Sequence, residues 1–101
     1  MEVLEKSVMI FKSLGDETRI KIVKAIFDSE KKVSNIATDV NMTQSAVSHQ
    51  LQILKLSNIV KSERKGKEVY YSLSDNHIKT IIEQVFTHAT HKWKIFVNNL
   101  K

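Results

Sequence analysis

Apolar residues recur at helical spacing through the first third of the chain. They predict a first helix over about residues 2–14, which Gly15 ends as a glycine at a helix C-terminus. Asp16 is expected to cap a second helix, whose apolar side runs to about residue 28. The apolar positions of these two helices are Val3, Leu4, Val8, Met9, Phe11 and Leu14, then Ile20, Ile22, Val23, Ala25, Ile26 and Phe27.

Two further helices are predicted around a short turn. Ser34 is expected to cap a third helix that carries Ile36, Ala37 and Val40. Asn41-Met42 then makes a turn, and Thr43 caps a fourth helix over residues 43–57. This helix is amphipathic, with apolar residues at Ala46, Val47, Leu51, Ile53 and Leu54.

After residue 58 the hydrophobic pattern changes period. Two β-rich runs, 59–63 and 68–73, flank the basic glycine turn 64–67, which predicts a β-hairpin. Ser74 or Asp75 then caps a long last helix that runs to about Asn98. The prediction is a mainly α fold with a β-hairpin wing: a winged helix-turn-helix domain over residues 1–101.

The stretch from Ser34 to Leu54 meets three requirements of a helix-turn-helix in order. Ala37 is small where the second helix would cross the first, and Asn41 suits a turn position with positive φ. Val47 supplies a branched apolar residue for burial between the helices. An ordinary helical hairpin remains the alternative, but the basic hairpin that follows favours a DNA-binding motif.

The exposed side chains of this motif are candidate DNA contacts. Glutamine can pair with adenine, serine and threonine reach bases or phosphates, and a basic hairpin tip suits phosphates or a minor groove. A net charge of +5 and a pI of about 9.5 fit a polyanionic partner. Solvated surface roles remain the alternative for each residue. The candidates are Thr43, Gln44, Ser45, Ser48, His49, Arg64, Lys65 and Lys67.

Composition excludes several other functions. The chain has no cysteine, so it has neither disulfides nor thiolate metal sites. No apolar run approaches the ~18–20 residues needed to span a bilayer, and no secretory signal is visible, so we expect a cytoplasmic protein without membrane partner. No glycine-rich phosphate loop or recognisable nucleophile–base pair is present, so neither enzymatic activity nor a small organic substrate is expected.

Acidic and histidine donors in the last helix predict a metal site. Asp75 and His77 precede His88 and His91, and these oxygen and nitrogen donors suit Zn(II) or Co(II), with Ni(II) less favoured. The three histidines share one helical stripe, but His77 and His88 lie about 16 Å apart along it. One ion cannot span that distance. Two antiparallel helices would bring Asp75 and His77 of one chain to His88 and His91 of the other, twice per dimer.

The residues between these donors predict the dimer seam. Ile81 and Gln84, flanked by Ile78 and Val85, would pair the last helices of two chains, and this seam would form without metal. Taken singly, Asp75 could be a plain helix cap and each histidine a surface residue. The four donors together at this spacing favour the metal site.

Several segments resemble the ArsR/SmtB family of metal-sensing repressors. Residues 11–20 (FKSLGDETRI) are similar to its "ALGDPTRLRIL" opening, residues 43–51 (TQSAVSHQL) to its recognition helix, and residues 61–73 to its wing. The resemblance covers about residues 8–92. It implies a homodimer on an inverted-repeat operator in double-stranded DNA, released by its inducer and controlling efflux or resistance genes for that metal.

The resemblance also narrows the choice of metal. Where the family carries a Cys-x-Cys pair on its third helix, this chain has Lys32 and Ser34, so thiolate sensing is not expected. The zinc and cobalt sensors of the family carry D-x-H followed by H-x-x-H on the last helix, and all four positions are filled here. The alternative is a winged-helix regulator that does not respond to metal.

Overall fold

The computed structural model describes the backbone of residues 2–99 and the side chains of residues 2–90. In this part of the chain four helices and a short strand precede a hairpin and a long helix. The elements are α1 (Val3–Leu14), α2 (Glu17–Ala25), β1 (Lys31–Lys32), α3 (Val33–Val40), α4 (Gln44–Leu56), β2 (Val60–Lys65), β3 (Glu68–Leu73) and α5 (Asn76–Asn99). This is the predicted winged helix-turn-helix topology.

Three of the predicted helix caps are confirmed. The Asp16 carboxylate accepts a hydrogen bond from the Arg19 N–H at 3.0 Å, and the Thr43 hydroxyl accepts one from Ala46 at 3.1 Å. Asp75, rather than Ser74, caps α5, because its carboxylate accepts from the Ile78 N–H at 3.0 Å. Each cap satisfies a backbone donor that the helix itself leaves unpaired.

The predicted cap at Ser34 is wrong. Helix α3 begins at Val33, with Lys32 at its N-cap position and no capping side chain. The reason is strand β1, which the sequence did not predict: Lys31 pairs with Tyr71 and Lys32 with Tyr70. This pairing holds the chain extended up to the helix, so the start of α3 is set by a contact distant in sequence.

Two other helix ends differ from prediction in their detail. Helix α2 ends at Ala25 rather than near residue 28, with Ile26 at its C-cap position. Gly15 ends α1 as predicted, but at φ −81° rather than in the left-handed conformation typical of glycine there. Its small size matters instead, because a Cβ at this position would lie 3.2 Å from the Phe11 carbonyl oxygen.

The sheet has strand order β1-β3-β2, and all its pairs are antiparallel. In the hairpin Val60 pairs with Leu73 and Lys65 with Glu68, so the wing is six residues long on each side. Gly66 turns the tip at φ +65°, a conformation that favours glycine. The predicted hairpin is confirmed.

The core lies between α2, α3, α4 and the base of the sheet. Its fully buried members include Ile22, Ile26, Ile36, Val47, Leu51, Leu54 and Ile59. Helix α5 joins this core through Ile78 and Ile82, while the Phe86 ring lies 6.2 Å from that of Phe27. Ile78 is therefore buried within its own chain, and its predicted place in the dimer seam is wrong.

The opposite side of α5 and much of α1 leave large apolar side chains in solvent. Val3, Leu4 and Phe11 are each more than 70 % exposed, and Ile81 and Val85 are about half exposed. The radius of gyration is 14.9 Å, against about 13 Å expected for a compact chain of this length. None of the helices within residues 2–99 combines the length and hydrophobicity that a bilayer crossing requires.

Candidate nucleic-acid interface and metal ligands

Helices α3 and α4 have the helix-turn-helix geometry that the sequence predicts. Asn41 ends α3 in the left-handed conformation, at φ 56° and ψ 52°. The Met42 N–H donates to the Ala37 carbonyl at 3.0 Å and closes the turn. Ala37 on α3 and Val47 on α4 are both buried in the core that the two helices share. Helix α4 therefore occupies the position of the recognition helix in this motif.

The candidate base-contacting residues lie on the outer side of the start of α4. Gln44, Ser45 and His49 are exposed, and Ser48 is half-buried. Thr43 is exposed, but its hydroxyl already accepts the Ala46 N–H, so its first role is to start the helix. The other four side chains are free to face a major groove, where donors and acceptors on base edges distinguish sequences.

The wing tip presents three exposed basic residues, as predicted, but one of them has an acidic partner. Lys65 pairs with the Glu30 carboxylate, and its ammonium group lies 5.4 Å from the centroid of the Tyr70 ring. The hydrogen bond to Glu30 raises the pKa of Lys65 above its usual value. Arg64 and Lys67 are exposed beside it. A DNA phosphate that approached Lys65 would therefore compete with Glu30.

Removing this competitor should strengthen binding to DNA. In Glu30→Gln we expect tighter binding to DNA. The slope of the logarithm of the binding constant against the logarithm of the salt concentration should be steeper by up to about 0.9, the value of one phosphate contact. In Arg64→Ala/Lys65→Ala the slope should instead be shallower by up to about 1.8. Anisotropy titrations of a labelled duplex at several KCl concentrations measure both. Adding Glu30→Gln to a Lys65→Ala background is the control, and an effect there would contradict this role of Glu30.

The recognition helix is also tied directly to the wing. Lys55 near the end of α4 donates to the Ser62 hydroxyl of β2 at 2.7 Å. Between the two elements Asn58 takes a left-handed conformation, at φ 59°. The Ser74 hydroxyl donates to the Asn58 carbonyl at 2.7 Å, and the Ser74 N–H donates to the Ile59 carbonyl at 2.9 Å. The start of α5 is thus fixed against the junction of recognition helix and wing.

Arg19 is a positioning residue that the sequence analysis missed. Its Nε donates to the Ser13 carbonyl at 2.6 Å and its Nη1 to the Gln50 side chain at 3.1 Å. A longer contact of 3.4 Å reaches the Lys12 carbonyl. The buried hydroxyls of Ser13 and Ser57 also form a hydrogen bond. Together these contacts fix the end of α1 against α4. A polar residue one turn before the buried pair Ile22 and Val23 was the available signal.

Two of the four predicted metal ligands lie together in one chain. His77 Nδ1 is 2.8 Å from the Asp75 carboxylate, and both side chains are exposed. The Ile78 N–H, and after it His77, hold the pKa of Asp75 below its usual value, so the carboxylate stays ionised. Such an ionised carboxylate beside an imidazole fits the donor set that zinc prefers.

The other two predicted ligands do not meet this pair within the chain. His88 is exposed on α5, about 16 Å further along the helix than His77. The His91 side chain lies outside the described residues. Among the side chains of residues 2–90, no three histidine or acidic residues come close enough to hold an ion. The described side chains of one chain therefore do not form a complete site by themselves.

Four of the exposed residues of α5 lie along one stripe of the helix. His77, Ile81, Gln84 and His88 are all exposed, at spacings of four, three and four residues, whereas Ile78 and Ile82 face the core. His77, His88 and the two residues between them on this stripe, Ile81 and Gln84, thus face away from the body of the chain. This is the arrangement that a helix–helix seam with metal ligands at both ends requires.

Comparison with known proteins identifies the family of the helix-turn-helix region. Residues 16–62, which run from the α2 cap to β2, match the model of the family described as "Bacterial regulatory protein, arsR family". A structure of the homodimeric winged helix-turn-helix domain of Mb0332 from Mycobacterium bovis, a possible ArsR-family regulator, superposes with a TM-score of 0.88. It is 25 % identical, and the match covers 91 % of this chain and 85 % of that one.

Two curated relatives are more similar in sequence. A transcriptional repressor SmtB homologue of Synechocystis is 40 % identical over 77 % of this chain and 59 % of its own length. A cadmium resistance transcriptional regulatory protein, a CadC homologue of Staphylococcus aureus, is 39 % identical over 78 % and 66 %. The matched part of this chain thus spans about six-tenths to two-thirds of each. Both are transcriptional regulators, which agrees with the prediction that the chain is not an enzyme.

Proposed function

We propose, from the premise that this chain belongs to the ArsR family of bacterial regulatory proteins, that it is a repressor that Zn(II) or Co(II) releases from its operator. It would bind an inverted-repeat operator as a homodimer, in the cytoplasm, through the residues of α4 and the wing described above. Genes for efflux of, or resistance to, the same ion are the expected targets. Residues 1–101 would form one domain, with α1 and α5 making the dimer interface.

One observation carries the metal part of this proposal. Asp75 and His77 form an exposed pair at the start of α5, on the same outward stripe as His88. A second chain in antiparallel orientation would add His88 and His91 to this pair and complete a tetrahedral site of one oxygen and three nitrogen donors. Such a set suits Zn(II) or Co(II), with Ni(II) less favoured.

The position of Asp75 also indicates how metal binding would affect the DNA-binding elements. Ser74, the preceding residue, is hydrogen-bonded to the carbonyls of Asn58 and Ile59 in the junction between α4 and β2. A histidine bound to metal usually donates its other ring N–H to a nearby acceptor. We infer that His88 of one chain donates to a backbone carbonyl near Ser57-Asn58 of the other. Metal would then hold the two recognition helices at a spacing that fits the operator poorly.

Cobalt binding tests this ligand set directly. We expect about one Co(II) per chain, with the intense visible absorption of a tetrahedral site. Affinity should fall as the pH is lowered, because a protonated imidazole cannot bind metal. The lowered pKa of Asp75 means that its carboxylate would be protonated only at more acidic pH. A weak octahedral spectrum, or the same spectrum in His77→Ala, would contradict the assignment.

A further inference from the structure

One face of the wing turns towards the body of the domain, and we call it the inner face. Side chains alternate between the two faces of a strand, so Ser62 and Arg64 share a face with the buried Val60. Their partners on β3, Tyr71 and Val69, lie on the same face and pack in or against the core. The inner face consists of Val60, Ser62, Arg64, Val69, Tyr71 and Leu73.

The two faces of the wing differ in charge. The inner face has one basic residue, Arg64, and no acidic residue. The outer face carries both acidic residues of the two strands, Glu63 and Glu68, and also Lys65, whose charge is already paired. Residues 40–62, which include all of α4, contain no acidic residue either. The exposed side of α4 and the inner face of the wing therefore form a surface without negative charge, as contact with a polyanion favours.

Lys55 and Ser62 form a group of hydrogen-bond donors on this surface. The Lys55 ammonium group donates to the Ser62 hydroxyl at 2.7 Å. An ammonium group has three N–H donors, and a hydroxyl that accepts one hydrogen bond can still donate its own proton. The pair can therefore offer further N–H and O–H donors to one anion. Among the described side chains Lys55 has no acidic partner, so its positive charge is available.

The position of this pair matches the path of a DNA backbone strand. A recognition helix enters the major groove, and a basic hairpin tip beside it can reach the adjacent minor groove. One sugar–phosphate strand separates these two grooves, so it has to cross the surface between the helix and the hairpin. Lys55 near the end of α4 and Ser62 on β2 lie at this crossing, and Arg64 follows on the same face of the wing.

We propose that Lys55 and Ser62 form a binding site for one phosphate group of the DNA strand that passes between α4 and the wing, with Arg64 on a neighbouring phosphate. This proposal rests on the DNA-binding part of the proposed function and does not depend on metal. The site would fix the register of the protein on the duplex, while side chains at the start of α4 contact the bases. Each chain of a dimer would hold one strand in this way.

Salt dependence counts the phosphate contacts. The probe is a labelled duplex that the metal-free parent protein has selected from a random pool. In Lys55→Ala the slope of the logarithm of the binding constant against the logarithm of the salt concentration should be shallower by up to about 0.9 for each bound chain. Lys61→Ala removes the same charge from an exposed position on the outer face, beside Ser62, and should leave the slope nearly unchanged. An equal decrease in both variants would overturn the proposal.

A second measurement locates the phosphate and separates binding from positioning of the wing. Phosphates of the selected duplex are replaced one at a time by uncharged methylphosphonates. At one position for each bound chain the replacement should weaken binding of the parent protein about ten- to hundredfold, the value of a hydrogen bond to a charged group. The same replacement should not weaken binding of Lys55→Ala further. If Lys55 only holds the wing in place, the parent and the variant will respond alike at every position, and the proposal is wrong.

These readouts separate the phosphate site from the proposed function. Zinc-dependent release of the selected duplex is measured on the same proteins. If zinc releases DNA but Lys55→Ala responds to every methylphosphonate like the parent, the phosphate site is wrong and the repressor function stands. If the site responds as expected and zinc has no effect, the site is supported and the metal-responsive function is wrong. Failure of the parent to select any duplex would contradict both.

Discussion

Replacing His88 by alanine is expected to leave operator binding intact and to abolish its response to zinc. In the parent protein, saturating zinc should raise the operator dissociation constant about 5- to 150-fold, the usual range of coupling between two sites. In His88→Ala the change should be less than about twofold, because the remaining donors bind the ion too weakly to favour the released state. Since His88 is exposed and outside the core, its loss should not unfold the chain.

Operator titrations with and without zinc measure this effect. Thr87→Ala, at the neighbouring exposed position, is the matched control and should respond to zinc like the parent. Full release of DNA from His88→Ala by zinc would contradict the metal site. Release that is lost in both variants would point to damage to α5 rather than to a missing ligand.

A second replacement at this position separates two routes of coupling. Asp, or a histidine N-methylated on the nitrogen that does not bind metal, can still bind the ion but cannot donate the second N–H. If coupling runs through the carbonyl near Asn58, such a variant should bind zinc and fail to release DNA. Full release would mean that clamping the two α5 helices is sufficient. Mutating the Asn58 side chain should have little effect, because the acceptor is backbone.

Replacing Arg19 by alanine is expected to lower the free energy of unfolding by about 1–3 kcal/mol and to weaken operator binding. The guanidinium group joins the Ser13 carbonyl to the Gln50 side chain, so its loss leaves acceptors without a partner. The α4 helix would also lose a contact that fixes it against the end of α1. Arg19→Lys should recover part of the stability but not the position of α4 against α1. One ammonium group cannot replace the several N–H donors that the planar guanidinium group directs at different acceptors.

A double-mutant cycle between Arg19 and Gln50 tests the positioning role. Denaturant unfolding and operator binding are measured for Arg19→Ala, Gln50→Ala and the double variant. A coupling energy of about 0.5 kcal/mol or more in operator binding is expected for side chains in contact. Lys21→Ala, an exposed position on the same helix, serves as the control. Additive effects on operator binding would reduce Arg19 to a residue that only stabilises the fold.

Local signals in the sequence were sufficient for most of the fold. Asn41, Val47 and Gly66 each meet a requirement that arises within a few residues, and the turn, the helix contact and the hairpin are as predicted. Strand β1 was missed because it has two residues and exists through pairing with Tyr70 and Tyr71, far along the chain. The false cap at Ser34 has the same cause.

The candidate site was predictable only in part, for a similar reason. The spacing of histidines along α5 is local, so their shared stripe could be derived, and His77 and His88 lie on it. Which neighbouring side chains face the core depends on how α5 packs, so Ile78 was wrongly placed in the seam. The network of Arg19 joins three helices, so the one local signal, a polar residue one turn before Ile22 and Val23, does not show which partners Arg19 contacts.

Because α1 and α5 leave apolar side chains in solvent, the stability of the fold would depend on the concentration of the protein. Burying one such residue fully contributes about 1.5–3 kcal/mol. A chain without a partner forgoes most of this contribution at Phe11 and about half of it at Ile81 and Val85. In the proposed homodimer mass action therefore governs stability, and dilution favours the unfolded chain. A cell holding few copies would lose free chains to proteases first. Abundance would then set the lifetime of each molecule as well as operator occupancy.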